Sequence, residues 1–91
     1  MTIVDLRRKF LPKFVKSARG RLSRGREHLA QGRPAALARE LHALIGEAAI
    51  LGFHPLSDAA RKAEDAARAG RDVLPLLDEI DRQLAKVAPS E

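Results

Sequence analysis

Apolar residues return every three or four positions along most of this 91-residue chain, and nowhere do they alternate by two. The first rhythm follows the 3.6 residues of a helical turn, and the second is what a half-buried strand would need. The chain is therefore restricted to helices. In the N-terminal third the stripe is Ile3, Leu6, Phe10, Phe14, Ala18, Leu22, Gly25 and Leu29, with basic residues mostly between its members. Pro12 interrupts it. Proline lacks a backbone N–H and suits the first turn of a helix, so the spacing predicts a short leading helix to Phe10 and a long one from about Pro12. A second stripe is Leu37, Leu41, Leu44, Ala48 and Leu51. A third is Leu56, Ala59, Ala60, Ala63, Ala66 and Ala67, and a fourth is Val73, Leu76, Leu77, Ile80, Leu84 and Val87.

Glycine and proline punctuate these stripes. Gly32 can end one helix and Pro34 open the next, and Gly52 can close the second ahead of Phe53-His54-Pro55. Gly70 stops the third. Asp72 is a candidate N-cap for the last helix, with Pro75 in its first turn, and Ala88-Pro89-Ser90-Glu91 should fray. Connections this short make successive helices antiparallel neighbours. The expected architecture is an all-α, antiparallel up-down four-helix bundle with a short leading helix, built as one domain over residues 1–91.

Composition narrows the function classes. The chain contains no cysteine, which excludes disulfides, thiolate metal sites and a cysteine nucleophile and suits a reducing cytoplasm. No apolar run approaches the ~20 residues of a membrane-crossing helix, and Met1-Thr2-Ile3-Val4-Asp5 does not read as a signal peptide. His28, His42 and His54 lack the spacing of a metal set, and His28 and His54 are expected to be solvated. Residues 1–33 carry ten Lys/Arg against Asp5 and Glu27, a balance of +8, whereas residues 34–91 balance at −3. A basic third of this kind can meet an acidic protein, an anionic membrane or nucleic acid, or be a solvated helix face.

One histidine stands apart. On a helical projection His42 lies off the Leu37–Leu51 stripe, towards solvent, and its neighbours on that face are Ala35, Ala38, Gly46 and Ala49. Gly46, one turn on, costs about 1 kcal/mol against alanine in mid-helix, so it needs a reason. Either it clears space around an exposed imidazole, or it allows close helix packing.

His42-Ala43-Leu44-Ile45-Gly46, with Gly52 six residues further on, resembles the H-x-L-K-G-x-x-x-x-x-G motif of histidine phosphotransfer (HPt) domains of two-component phosphorelays. Leu29, thirteen residues before His42, resembles the family's end-of-helix leucine. Leu56 with Ala63-Glu64, then Ala67-Arg68-Ala69-Gly70, resembles its next helix; the related domain of chemotaxis histidine kinases is similar too. The resemblance implies a phosphocarrier that is not itself an enzyme. His42 would accept a phosphoryl group from a histidine kinase or a receiver aspartate and pass it to another receiver domain. It further implies no cofactor of its own, Mg²⁺ coming from the partner receiver, and Glu64 as the group that holds the second imidazole nitrogen. Ile45 departs from the pattern, since the family's lysine there flanks the phosphoryl group. Arg39 or Lys62 could supply the missing charge, and Ile45 could instead enlarge an apolar rim on which a receiver docks.

Two other readings stand beside this one. A non-phosphorylated HPt-like docking module is favoured by Ile45. A small basic nucleic-acid-binding protein is suggested by Arg19-Gly20-Arg21, Arg24-Gly25-Arg26 and Gly32-Arg33-Pro34, but these arginines interrupt a helical stripe and no exposed aromatics offer base stacking. The expected protein is a cytoplasmic monomer without membrane or nucleic-acid partners.

Overall fold

A computed structural model describes residues 3–88, with side chains from Arg8 onward. Four helices account for nearly all of it: α1 (Ile3–Ala30), α2 (Pro34–Ile50), α3 (His54–Ala69) and α4 (Leu74–Val87), with no strand among the described residues. The side chains of Ile3 and Leu6 and the tail Pro89-Ser90-Glu91 lie outside the described residues.

The leading helix is not separate. α1 runs unbroken through Pro12. Proline at that position forfeits the bond to the carbonyl of Arg8, but Arg8 is exposed, so water can take the freed carbonyl. Beyond it Phe14, Val15, Ala18 and Leu22 bury one continuous face, which favours keeping a single helix axis. At 28 residues α1 is about 42 Å long, the full long dimension of the 42 × 21 × 18 Å molecule.

The three helix ends are built alike. Gly32, Gly52 and Gly70 take φ of 72°, 79° and 71°, left-handed conformations that glycine adopts without a Cβ clash. In each case the following N–H reaches back five residues: Arg33 to His28 O at 2.8 Å, Phe53 to Ala48 O and Arg71 to Ala66 O at 2.9 Å. These are Schellman closures, which satisfy the last carbonyls of a helix and turn the chain sharply. Pro34, Pro55 and Pro75 then sit in the first turn of the next helix. Asp72 does not occupy the cap position itself; from one residue earlier its Oδ1 accepts the Leu74 N–H at 3.2 Å.

Each helix packs on two others in a ring, α1 on α2, α2 on α3, α3 on α4 and α4 on α1, while the diagonal pairs stay apart. Leu37, Leu41, Leu44, Leu56, Leu77, Ile80 and Leu84 fill the middle and are fully buried. The interface of α2 with α3 is the most extensive, and both helices bury alanines, Ala38 and Ala48 on α2 and Ala59, Ala60, Ala63, Ala66 and Ala67 on α3, side chains small enough to let helices approach closely. Gly25 serves the α1–α2 contact, since a Cβ built on it would lie 2.6 Å from Leu37 Cδ1. Phe14 and Phe53 meet with ring centroids 5.6 Å apart.

The charged residues of α1 close the ring. Arg21 donates to Glu47 at 2.7 Å and to Glu40 at 3.0 Å, and Arg24 donates to Glu40 at 3.0 Å. Arg26 reaches α4, bonding Asp81 at 2.7 Å and Asp78 at 3.0 Å.

Candidate functional site

The imidazole of His42 stands out from the middle of α2, its side chain 74% exposed. Around it Ala35, Gly46 and Ala49 are exposed and small, while Ala38 belongs to the core beneath. Nothing lies within 4 Å of a Cβ built on Gly46, so that glycine serves no helix contact within the chain and leaves open space one turn from the ring. Close packing falls to Gly25 instead.

Glu64 approaches His42 from the neighbouring helix. The packing of α3 on α2 brings Glu64 Oε1 to 3.3 Å from His42 Nδ1, at the long end for a hydrogen bond. Unlike the ring, the Glu64 side chain is only 11% exposed. Its other oxygen, Oε2, accepts a hydrogen bond from Arg68 Nε at 2.9 Å and lies 2.8 Å from Arg68 Nη2 in an ion pair. Burial pushes the Glu64 carboxyl upward, but hydrogen bonds from Arg68 and His42, with their charges, outweigh it and hold the carboxyl below the usual glutamate range. Glu64 is therefore ionised at neutral pH and can only accept. The proton on the shared bond belongs to Nδ1, and the lone pair of a neutral His42 ring is left on Nε2. An exposed, neutral imidazole with its free nitrogen defined in this way is a nucleophile.

Of the remaining candidates, Arg39 is exposed one turn before His42 and makes no ion pair among the described residues. Lys62 sits elsewhere: it lines the groove between α3 and α4 with Asp58, Leu76, Glu79 and Gln83, because two residues along a helix turn it well away from Glu64. Ile45 forms no apolar rim. It is only 8% exposed and joins the core on the side facing α3, where Ser57 Oγ donates to its carbonyl at 3.3 Å. His54 is exposed, but His28 is half-buried, its Nδ1 enclosed and without a hydrogen-bond partner among the described residues. His28 follows the buried Gly25 by three residues and so shares its face.

Sequence reasoning passed over Arg68 as a site residue. The available signal was its position four residues after Glu64, the helical spacing at which an acid and a following base meet. No group of three or more His, Cys, Asp or Glu among the described residues could hold a metal ion. No helix among them is long and apolar enough to cross a membrane.

Fold and site together define a small all-α bundle in which an exposed histidine is backed by a carboxylate from the next helix. The family model described as the Hpt domain matches residues 9–89, and the chain belongs to that family. Hpt domains are phosphocarrier modules that interact with histidine kinases and receiver domains and are generally not enzymes. No curated protein and no solved structure matches the chain significantly.

Proposed function

We propose that His42 is the phospho-accepting residue of this Hpt domain, carrying a phosphoryl group between a histidine kinase or receiver aspartate and another receiver. The observation that carries this reading is the His42–Glu64 pair, an exposed ring whose Nδ1 faces an ionised carboxylate. In the transfer, Nε2 attacks the phosphorus of an aspartyl phosphate in line. The N–P bond forms as the P–O bond to the aspartate breaks, and the carboxylate leaves with the electron pair. Nδ1 keeps its proton, and Glu64 supports the charge that develops on the ring. The receiver supplies Mg²⁺ and its acidic pocket, so little catalysis is asked of the bundle. Gly46 leaves room for that partner, and Arg39, on the same helix, makes no ion pair among the described residues.

Residues 1–91 form one domain in this reading, and the helices run alternately up and down. In support, partners advance along one helix as the other is followed back: Leu37, Glu40 and Phe53 meet Gly25, Arg21 and Phe14, and Ser57 and Glu64 meet Ile45 and His42. The protein acts as a cytoplasmic monomer. Nucleic-acid binding fits less well, because Arg21, Arg24 and Arg26 already hold carboxylates of the chain itself.

Incubation with phosphorylated receivers or kinases, comparing wild type with His42→Gln, tests the proposal. Label on wild type alone is the expected result; no label from any cognate partner would sink it. The docking-only reading, which the buried Ile45 in place of the family's lysine favours, would then stand.

A further inference from the structure

Glu64 contacts His42 through one oxygen only, and something must decide which way its carboxylate faces. A glutamate has three rotatable bonds, and a single bond of 3.3 Å to an exposed ring is weak restraint on all of them. The stronger restraint is on the opposite oxygen. Arg68 donates from Nε to Oε2 at 2.9 Å and holds Nη2 2.8 Å from the same oxygen, and with Oε2 pinned the carboxylate no longer turns freely about its terminal bond, so Oε1 stays towards His42. The two residues are spaced i,i+4 with the acid first, the favourable order on a helix. Arg68 lies in the last turn of α3, just before Gly70 ends it, where the helix dipole favours a cation. The arginine is thus held by its own helix and owes nothing to His42.

We propose that Arg68 is a positioning residue for His42: it locks Glu64 so that Oε1 accepts from Nδ1, keeping the lone pair on Nε2. The proposal rests on His42 as the phosphoryl carrier for its purpose, though not for its test. Arg68 has a second effect. By pairing with Glu64 it presents an incoming phosphoryl group with a neutral pair rather than a bare carboxylate, in a chain whose position 45 supplies no cation.

The test reads the ring directly, without a partner. In ¹⁵N-labelled protein at about pH 8, above the ~6.5 at which histidine ordinarily titrates, the imidazole nitrogen shifts report which nitrogen carries the proton. Wild type is expected to be mainly Nδ1–H. Arg68→Ala should lower the Nδ1–H to Nε2–H ratio about threefold, a modest figure because an exposed ring is well screened. Arg68→Lys, which keeps the charge, should recover part of the loss. Arg71→Ala removes an exposed arginine three residues on that makes no ion pair among the described residues, and should change nothing. An unchanged ratio in Arg68→Ala overturns the proposal, as does an equal change in Arg71→Ala, which would mark a general charge effect. If the ratio responds to Arg68 while no receiver labels His42, the positioning stands and the phosphocarrier reading falls. Normal labelling with a ratio indifferent to Arg68 gives the converse.

Discussion

Replacing Gly46 with alanine separates what the fold wants from what the site wants. Gly46 lies within α2, and a Cβ there meets no atom within 4 Å, so the new methyl group encounters no clash inside the chain. Mid-helix glycine costs about 1 kcal/mol relative to alanine, through backbone entropy and helix propensity. Gly46→Ala should therefore stabilise the bundle by up to about 1 kcal/mol, which in a domain of this size raises Tm by about 4–8 °C. Function should move the other way. A methyl forced into a packed contact costs about 1–3 kcal/mol, so phosphotransfer to His42 should slow between roughly fivefold and a hundredfold. Thermal melting by circular dichroism and labelling by a phosphorylated receiver measure the two effects on one variant. A lower Tm would show that the space beside His42 is not open. A higher Tm with unchanged transfer would refute the idea that the clearing serves a partner. Gly25→Ala is the internal contrast: its methyl meets the fully buried Leu37 at 2.6 Å, so overpacking outweighs the propensity gain for a net loss of up to about 2 kcal/mol.

Two further outcomes follow from the ion pairs. Glu40 is lowered by hydrogen bonds from Arg24 and, against some burial, from Arg21, and Glu64 is lowered although its burial opposes this. Carboxyls depressed in the folded state contribute stability that is complete above the ordinary glutamate value of about 4.3 and is lost as pH falls through the lowered values. Tm should begin to drop near that pH, and a Glu40→Gln, Glu64→Gln double variant should drop less; equal slopes would contradict the assignment. Arg21→Ala should cost about 1–2 kcal/mol, more than an exposed pair, because it leaves Glu47 without its partner and Glu40 with Arg24 alone in a half-buried contact, and Arg21→Lys should restore less than half, lacking the planar fork. Urea titration of the three proteins reads both.

Helix content and helix ends were legible in the sequence because both are local. A period of 3.6 needs only neighbouring residues, and Gly32, Gly52 and Gly70 end helices because a left-handed residue suits glycine wherever the chain reverses. The exposure of His42 was legible for the same reason, as one angle on one helix. Pro12 shows where local rules stop. Its missing N–H predicts a boundary, yet α1 continues, since the freed carbonyl can meet water and the buried face extends beyond the break. Ile45 is similar: its place in the motif suggested an exposed flank, and only the approach of α3 puts it in the core.

The chemistry at His42 depends on contacts across helices, and that is where tertiary structure alone decided. Glu64 is 22 residues from His42, and only the packing of α3 on α2 brings its carboxylate to 3.3 Å. Whether Gly46 serves packing or access could not be told from spacing, because the answer is what a neighbouring helix does or does not place beside it. Arg68 was visible as an i,i+4 partner of Glu64, but its bearing on His42 appears only when Glu64 joins the two helices through its two oxygens. Periodicity determines which residues face inward. The distance between two helices, set by the smallest side chains at their contact, determines which of them can act together.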